Sequence, residues 1–306
     1  MRVLVTGATG FVGLTLLADL VESEHDPVAM VRPGSSTARI PSGVETVTGD
    51  LRGDLDAALA GVDAVVHLAA AVYTESEMAA TNVAGTERLV GAAAAADVER
   101  FVFLSTIGAH PRIESDPDSP YQRSKVEVEG LLFGSDREYP FEVAAIYPTY
   151  ILGPRDYRLT RYEHVRPVAA NRVLVPPLYT YDEYNIVHVG DVVDTIGHCL
   201  AGAAGRHLVT GPNLTTRQVL GVIAGAVEGS CRIVPVPYGV LRWGIKPTID
   251  LLARVGVSPV GGAAFLERGD YGTVPASLTE RAPIDQRSWQ SALVDTVAWY
   301  DEVGVL

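Results

Sequence analysis

The first half of the chain alternates short, continuously apolar runs with stretches of helical periodicity, and this alternation confines it to one class of fold. The runs are Arg2–Thr6, Pro27–Arg32, Val44–Leu51, Asp63–Ala70, Arg100–Thr106 and Phe141–Pro148, each rich in Val, Ile, Leu or Phe. Runs that are apolar throughout, rather than at every second residue, suit strands covered on both faces. Between them lie helical stretches such as Phe11–Ser23, Glu77–Asp97 and Ser119–Ser135. Strands separated by helices require right-handed crossovers and a parallel sheet. Residues 1–150 are therefore expected to form a doubly wound α/β domain. Segments near 185–215 complete its sheet, and residues 151–306 supply mainly a smaller C-terminal substrate lobe. In that second half Asn185–Asp191 and Arg206–Gly211 read as strands and Val192–Ala203 as a helix. Thr215-Thr216-Arg217-Gln218 fits a capping box opening a further helix to about Glu228. Trp289–Tyr300 reads as a terminal amphipathic helix, while residues 231–280, interrupted by Pro and Gly, show no periodicity.

Charge removes several functions. The chain carries 24 Lys+Arg against 37 Asp+Glu, a formal charge of −13. Such a chain lacks the electrostatic footprint for nucleic acid or an anionic membrane. No apolar run approaches the roughly 18 residues of a membrane span. The two cysteines, Cys199 and Cys231, have no Cys or His at ligand spacing. They read as buried thiols of a reducing compartment. With the first strand at Arg2 no leader is expected, and the expected location is the cytoplasm.

The first strand runs into Gly7-Ala8-Thr9-Gly10-Phe11-Val12-Gly13. One glycine makes the tight turn, one lets backbone approach a pyrophosphate, and one lets helix and strand pack closely. The helix then offers free N–H groups and its positive dipole end to phosphate. Placed at the first β–α junction of an alternating pattern, the loop Gly7, Thr9, Gly10, Phe11, Val12 and Gly13 points to a dinucleotide. An acid at the end of the second strand would bond the 2′-hydroxyl of NAD. This chain has Arg32 there and no acid between Ala29 and Ile40. A guanidinium suits a 2′-phosphate by charge and fork geometry, so NADP is preferred and NAD is the alternative. The competing reading of Arg32 is a solvated loop arginine.

Ser119-Pro120-Tyr121-Gln122 fits a helix start, with Ser119 as cap, Pro120 at the first helical position and Gln122 closing a capping box. Tyr121 and Lys125 then share one helix face. An ammonium beside the phenol favours the phenolate and lowers its pKa toward the useful range. The alternative is a surface Tyr–Lys pair. The fifth strand ends Ser105-Thr106, and a hydroxyl at that position points into the cleft where ligands of such sheets bind. Either Ser105 or Thr106 can meet a substrate carbonyl, or serve only as a turn residue.

Together these residues resemble the extended short-chain dehydrogenase/reductase family, the NAD(P)-dependent epimerase/dehydratases. The resemblance covers about residues 1–215. It is carried by Thr6–Gly13, Gly49-Asp50-Leu51, His67-Leu68-Ala69-Ala70, Asn82-Val83-Ala84-Gly85-Thr86, Arg100–Thr106, Tyr121-Gln122-Arg123-Ser124-Lys125 and Val187–Val192. It implies a Rossmann fold. Asp50 and Leu51 would flank the adenine. Leu68, Ala69 and Ala70 would line the ribose and nicotinamide path, with Ser105, Tyr147 and Pro148 bordering the same cofactor. Asn82 would support the active-site architecture. Thr106, Tyr121 and Lys125 would be the catalytic triad, Lys125 also donating to the ribose. Ala71, Ile107, Tyr150 and Arg155 would border the substrate. His188 and Asp191 are read as structural. The family's habit of dimerising through two helices per subunit implies a homodimer through Glu77–Asp97 and Ser119–Ser135.

Three departures matter. In the 4,6-dehydratase branch an Asp-Glu pair follows the triad threonine. Here Thr106 is followed by Ile107 and Gly108, which counts against a sugar dehydratase. The sixth strand ends Tyr147-Pro148 where the family often has Arg-Pro, and the connection from Thr106 to Tyr121 is short. On the substrate side, Arg155, Arg158, Arg161, Arg166 and Arg172 face only Asp156 and Glu163 within residues 155–172. An anionic substrate suits this stretch, with Arg155, Arg158 and Arg161 sharing a helix face. Pairing with the chain's surplus acids is the competing reading. Tyr179, Tyr181 and Tyr184 form either an aromatic rim or a half-exposed edge. The leading expectation is an oxidoreductase moving a hydride between a nicotinamide and a carbonyl or secondary alcohol of a small molecule. The alternatives are a nucleotide-sugar epimerase with tightly held cofactor, and a non-catalytic NADP-sensing relative.

Overall fold

A computed structural model describes residues 1–114, 116, 118–135, 138–159, 162–170, 173–174, 183–227, 231–233, 270–271, 273–278 and 281–306, with isolated residues at 240, 243–244, 247–248 and 251. The chain divides into two compact units: 1–151 with 189–210 and 276–287, and 152–188 with 211–275 and 288–306.

The first unit is a seven-stranded sheet flanked by helices. In chain order its elements are β1 (Arg2–Thr6), α1 (Phe11–Val21), β2 (Asp26–Val31), β3 (Glu45–Thr48), α2 (Asp56–Leu59), β4 (Ala64–His67), α3 (Glu75–Glu77), a π-helical segment (Met78–Val83), α4 (Ala84–Ala95), β5 (Arg100–Leu104), α5 (Pro120–Phe133) and β6 (Glu142–Pro148). The sheet order is β10-β6-β5-β4-β1-β2-β3, with β10 at Gly205–Val209 and every pairing parallel. The doubly wound sheet expected from the sequence is thus present.

The strand order reverses between β1 and β4. The chain builds outward through β2 and β3, then returns to build the other way. Right-handed crossovers on either side of such a reversal put the helices on opposite faces and open a crevice at the C-terminal strand ends. Thr6 and His67 are register partners at the mouth of that crevice. Five of the six runs are covered as expected: Val3, Leu4, Val5, Val28, Ala64, Val65, Val66, Phe101, Ala145 and Ile146 are at most 1% exposed; the expectation fails for Val44–Leu51, whose strand β3 is mostly exposed at the sheet edge. Leu14, Leu16, Leu17 and Leu20 cover one side of the sheet from α1.

Two elements differ from expectation. The helix expected over Glu77–Asp97 is interrupted, because Met78–Val83 is wound as a π-helix ahead of α4. The strand expected at 185–191 lies instead at Glu183–His188 (β9), within the second unit. Chain order around it gives β7 (Tyr150–Leu152), α6 (Tyr162–Ala170) and β8 (Val173–Leu174) before β9, then α7 (Val189–Leu200) ahead of β10. After β10 come β11 (Asn213–Thr215), α8 (Thr216–Ala226), β12 (Arg232–Ile233), β13 (Asp270–Tyr271) and the terminal helix Trp289–Glu302. The second unit pairs β11 and β13 with β9. The capping box is formed at Thr215 and Gln218 as expected. Cys199 is buried, but Cys231 is only half-buried, so the expectation of two buried thiols holds for one. No described helix is long and apolar enough to cross a membrane.

Candidate active site

The loop after β1 is built by steric necessity. Gly7 has φ +67°, and a Cβ there would lie 2.7 Å from the Ala69 amide nitrogen. At Gly13 a Cβ would lie 2.4 Å from the Gly7 carbonyl oxygen, so its absence lets α1 start against the loop. Gly10 is different: its Cβ would meet only the Gly7 oxygen, at 3.1 Å. It is therefore the glycine whose backbone a phosphate can approach. Gly10 caps α1 without any side-chain hydrogen bond, and the first turn of α1 contains no acid. The N–H groups of Phe11, Val12 and Gly13 thus carry the positive end of the dipole with no side-chain cap, which suits an anion. Thr9 lies on the exposed side of the loop.

Along the sheet edge, Arg32 is exposed beyond β2. Asp50 accepts from the Arg52 backbone and guanidinium, and that pairing, aided more weakly by Arg32, holds its carboxyl below the usual range. Leu51 is buried against the position where a Gly85 Cβ would sit, 2.9 Å away. Leu68, Ala69, Ala70 and Ala71 leave β4 half-buried, with the Leu68 and Ala69 backbone against Gly7.

Asn82 sits on the π-helical segment, a winding frequent at functional sites, and is almost fully buried. Its amide is fully used. Oδ1 accepts from Ala71 N–H at 2.7 Å, while Nδ2 donates to the Ala71 carbonyl at 3.0 Å and to Ser124 Oγ at 3.0 Å. Ser124 in turn donates to the Tyr121 carbonyl at 2.8 Å.

α5 carries Tyr121 and Lys125 one turn apart. Lys125 is buried. Its Nζ donates to the Leu104 carbonyl at 2.8 Å and stands 4.5 Å over the Phe103 ring and 5.7 Å from the Tyr121 ring centre. Burial pulls its ammonium down to about 7. The expected lowering of the Tyr121 phenol is corrected: burial pushes it up to about 12. Desolvation disfavours both charged forms, and it outweighs the neighbouring cation here. The capping box expected at this helix is also corrected. The Ser119 side chain accepts from Gln122 N–H at 3.3 Å, but the Gln122 side chain turns away to accept from Asp116 N–H at 2.8 Å.

At the end of β5, the Ser105 hydroxyl is buried and has no hydrogen-bond partner among the described residues, while Thr106 is half-buried beside it. Ile107 and Gly108 form a short 3-10 turn with Ala109. A Cβ at Gly108 would lie 2.6 Å from the Gln122 amide carbon, so that side chain fills the space beside it. Tyr147 is fully buried; its hydroxyl donates to Glu129 on α5, which also accepts from Arg206 Nε at 2.7 Å. The Tyr147 side chain is thereby committed to the core, and Pro148 ends the strand next to it. Tyr150 is half-buried just beyond.

The helix expected to carry an arginine face over 155–161 is not formed at residues 155–159. Arg155 has φ +72°, which breaks any helix there, and α6 starts only at Tyr162. Arg155 and Arg158 belong to the second unit, where Arg166 is exposed on α6. Arg161, Arg172, Tyr179 and Tyr181 lie outside the described residues, and Tyr184 is buried in β9. His188 bonds Asp295 at 3.1 Å within the second unit, and Asp191 accepts from the Arg287 backbone at 3.0 Å within the first. No cluster of metal-ligating side chains occurs among the described residues.

A tight glycine loop, an uncapped helix start and an unpartnered buried hydroxyl at one strand edge fit a dinucleotide. A family model described as the NAD dependent epimerase/dehydratase family matches residues 3–211. The chain belongs to this family. A UDP-glucose 4-epimerase of Mycolicibacterium smegmatis is 31% identical over 74% of this chain and 83% of its own. A 3-beta-hydroxysteroid dehydrogenase of Mycolicibacterium neoaurum is 32% identical over 52% of this chain and 50% of its own. The solved UDP-glucose 4-epimerase of Thermus thermophilus, a complex with NAD, superposes over the whole of both chains with TM-score 0.71 at 23% identity. The family thus spans redox enzymes and epimerases on one scaffold.

Proposed function

We propose that this family member is an NADP-dependent oxidoreductase that reduces a carbonyl of a small molecule, or reverses that reaction on a secondary alcohol. The observation that carries the reading is the placement of Tyr121 and Lys125 on one face of α5, with the Lys125 ammonium anchored on Leu104 beside Ser105 and Thr106. The nicotinamide, when bound, supplies or accepts a hydride. Tyr121 holds the proton: pushed up to about 12, it is a phenol at neutral pH and a donor ready for a carbonyl oxygen. Thr106 orients that oxygen. Lys125 meets the ribose hydroxyls and supplies the positive charge against which the phenolate forms. Gly7, Thr9, Gly10, Phe11, Val12 and Gly13 hold the pyrophosphate, and Arg32 holds the 2′-phosphate. Asp50 and Leu51 flank the adenine, Leu68, Ala69, Ala70, Ser105 and Pro148 border the remaining path, and Ala71, Ile107 and Tyr150 face the substrate.

Ile107 and Gly108 supply no acid–base group after Thr106, and Gln122 fills the space at Gly108, which argues against sugar dehydration. The resemblance to UDP-glucose 4-epimerases favours one second reading, a nucleotide-sugar epimerase that returns the hydride to its own substrate. The protein acts as a homodimer through α4 and α5, which sedimentation tests directly. Turnover of Tyr121→Phe tests the main reading: loss of reduction with NADPH binding retained supports it, and unchanged turnover contradicts it.

A further inference from the structure

Four buried polar residues that the proposed chemistry does not use form one hydrogen-bonded line through the site. Thr6 Oγ1 lies 2.7 Å from His67 Nδ1, and His67 Nε2 lies 2.8 Å from Thr86 Oγ1. Thr86 Oγ1 donates to the Asn82 carbonyl at 2.5 Å. All four are at most 2% exposed.

The protons in this line have only one arrangement. A threonine hydroxyl has one hydrogen, and that of Thr86 is given to Asn82. His67 Nε2 must therefore be the donor to Thr86. Burial, with the Lys125 charge nearby, lowers His67 to about 3, so its ring is neutral and Nδ1 carries no proton. Thr6 then donates to Nδ1, and its oxygen accepts from Ala69 N–H at 3.2 Å. The line runs in one direction from the Ala69 amide to the Asn82 carbonyl. One end abuts the loop, since Thr6 precedes Gly7, whose Cα faces Ala69. The other end is the residue whose amide fixes Ala71 and reaches Ser124 on the helix of Tyr121.

We infer that His67 and Thr86 are positioning residues: as a neutral, one-tautomer bridge, His67 sets the phosphate loop and the backbone after β4 against the Tyr121 helix. This inference rests on the proposed dinucleotide reading of the site. No single contact of the bridge touches the ligand, so its effect is on the preorganisation of the groups that do.

α7 provides an internal control. Thr195 is as buried as Thr86 and makes the same bond to the carbonyl four residues back, Asp191 at 2.7 Å, but no described histidine donates to it. The experiment titrates NADPH into purified protein by nicotinamide fluorescence, well below the melting temperature. Thr86→Val leaves the His67 Nε2–H without its acceptor and is expected to weaken NADPH about tenfold. Thr86→Ser restores affinity to within about twofold, and Thr195→Val stays within about twofold of wild type. Wild-type affinity in Thr86→Val overturns the inference, as does an equal loss in Thr195→Val or failure of Thr86→Ser to rescue. If Thr86→Val does not fold, Thr6→Val against Thr6→Ser is read by the same criteria at the other end of the bridge. Wild-type protein that binds neither NADPH nor NADH overturns the dinucleotide reading itself, and the inference with it.

Discussion

Burial decides the charge of the two residues at the centre of the site. Lys125 titrates at about 7 in the folded protein against an ordinary value near 10.5. Between those values the unfolded chain binds the extra proton, so folding stability rises with pH across the window. The contribution is fully present above about 10.5 and is lost as pH falls through about 7. Lys125→Met removes the titrating group. It is expected to stabilise the protein by on the order of 1–3 kcal/mol near pH 6–7, with the gain shrinking toward pH 10 in thermal melts. The same substitution abolishes turnover if the ammonium supports the Tyr121 phenolate. Gly7 shows the opposite kind of constraint. Its φ of +67° and the 2.7 Å approach to Ala69 leave no room for a methyl group. Gly7→Ala is expected to cost more than the roughly 1 kcal/mol of an ordinary glycine replacement at positive φ, measured by denaturant midpoint.

At the scale of elements, α5 carries the proposed acid–base pair, and its start is capped by the Ser119 side chain. Ser119→Ala is expected to cost about 1 kcal/mol and to lower kcat more than it raises the NADPH dissociation constant, because Tyr121 lies in the first turn. The strands were legible because runs such as Leu4–Val5 and Val65–Val66 are apolar on both faces, a pattern only a covered parallel strand produces. The glycine loop was legible for the same steric reasons the structure displays. The break in the helix over 77–97 was not, since Met78-Ala79-Ala80-Thr81-Asn82-Val83 has ordinary helical composition, and the bond between Asn82 and Ala71 beyond its start is not a local signal. Nor was the Gln122 side chain, drawn off its own helix by the Asp116 amide. The bridge through His67 was legible only as polar residues ending apolar strands, Thr6 on β1 and His67 on β4. Sequence distance hid their pairing.

For the whole molecule, a formal charge of −13 sits beside a site meant for a multiply anionic cofactor. On the proposed reading the two are compatible, because the loop after β1 would bind through backbone N–H groups that no charge count includes, and the first turn of α1 holds no acid. Arg32 is exposed past β2, and the proposed preference for NADP assigns it to the 2′-phosphate. Arg32→Ala is expected to reduce the preference for NADPH over NADH by about tenfold, with a weaker effect at high salt; equal losses for both cofactors would remove Arg32 from that role. The central claim is that the protein moves a hydride between a dissociable cofactor and an external carbonyl, with Tyr121 giving the proton. The most direct measurement follows reduced-nicotinamide absorbance while a panel of ketones and aldehydes is offered with NADPH, for wild type and Tyr121→Phe side by side. The account predicts net NADPH consumption by wild type with at least one carbonyl, and a loss of about a hundredfold or more in Tyr121→Phe. Interconversion of nucleotide sugars with no net consumption of added cofactor, or equal consumption by the two proteins, would contradict it.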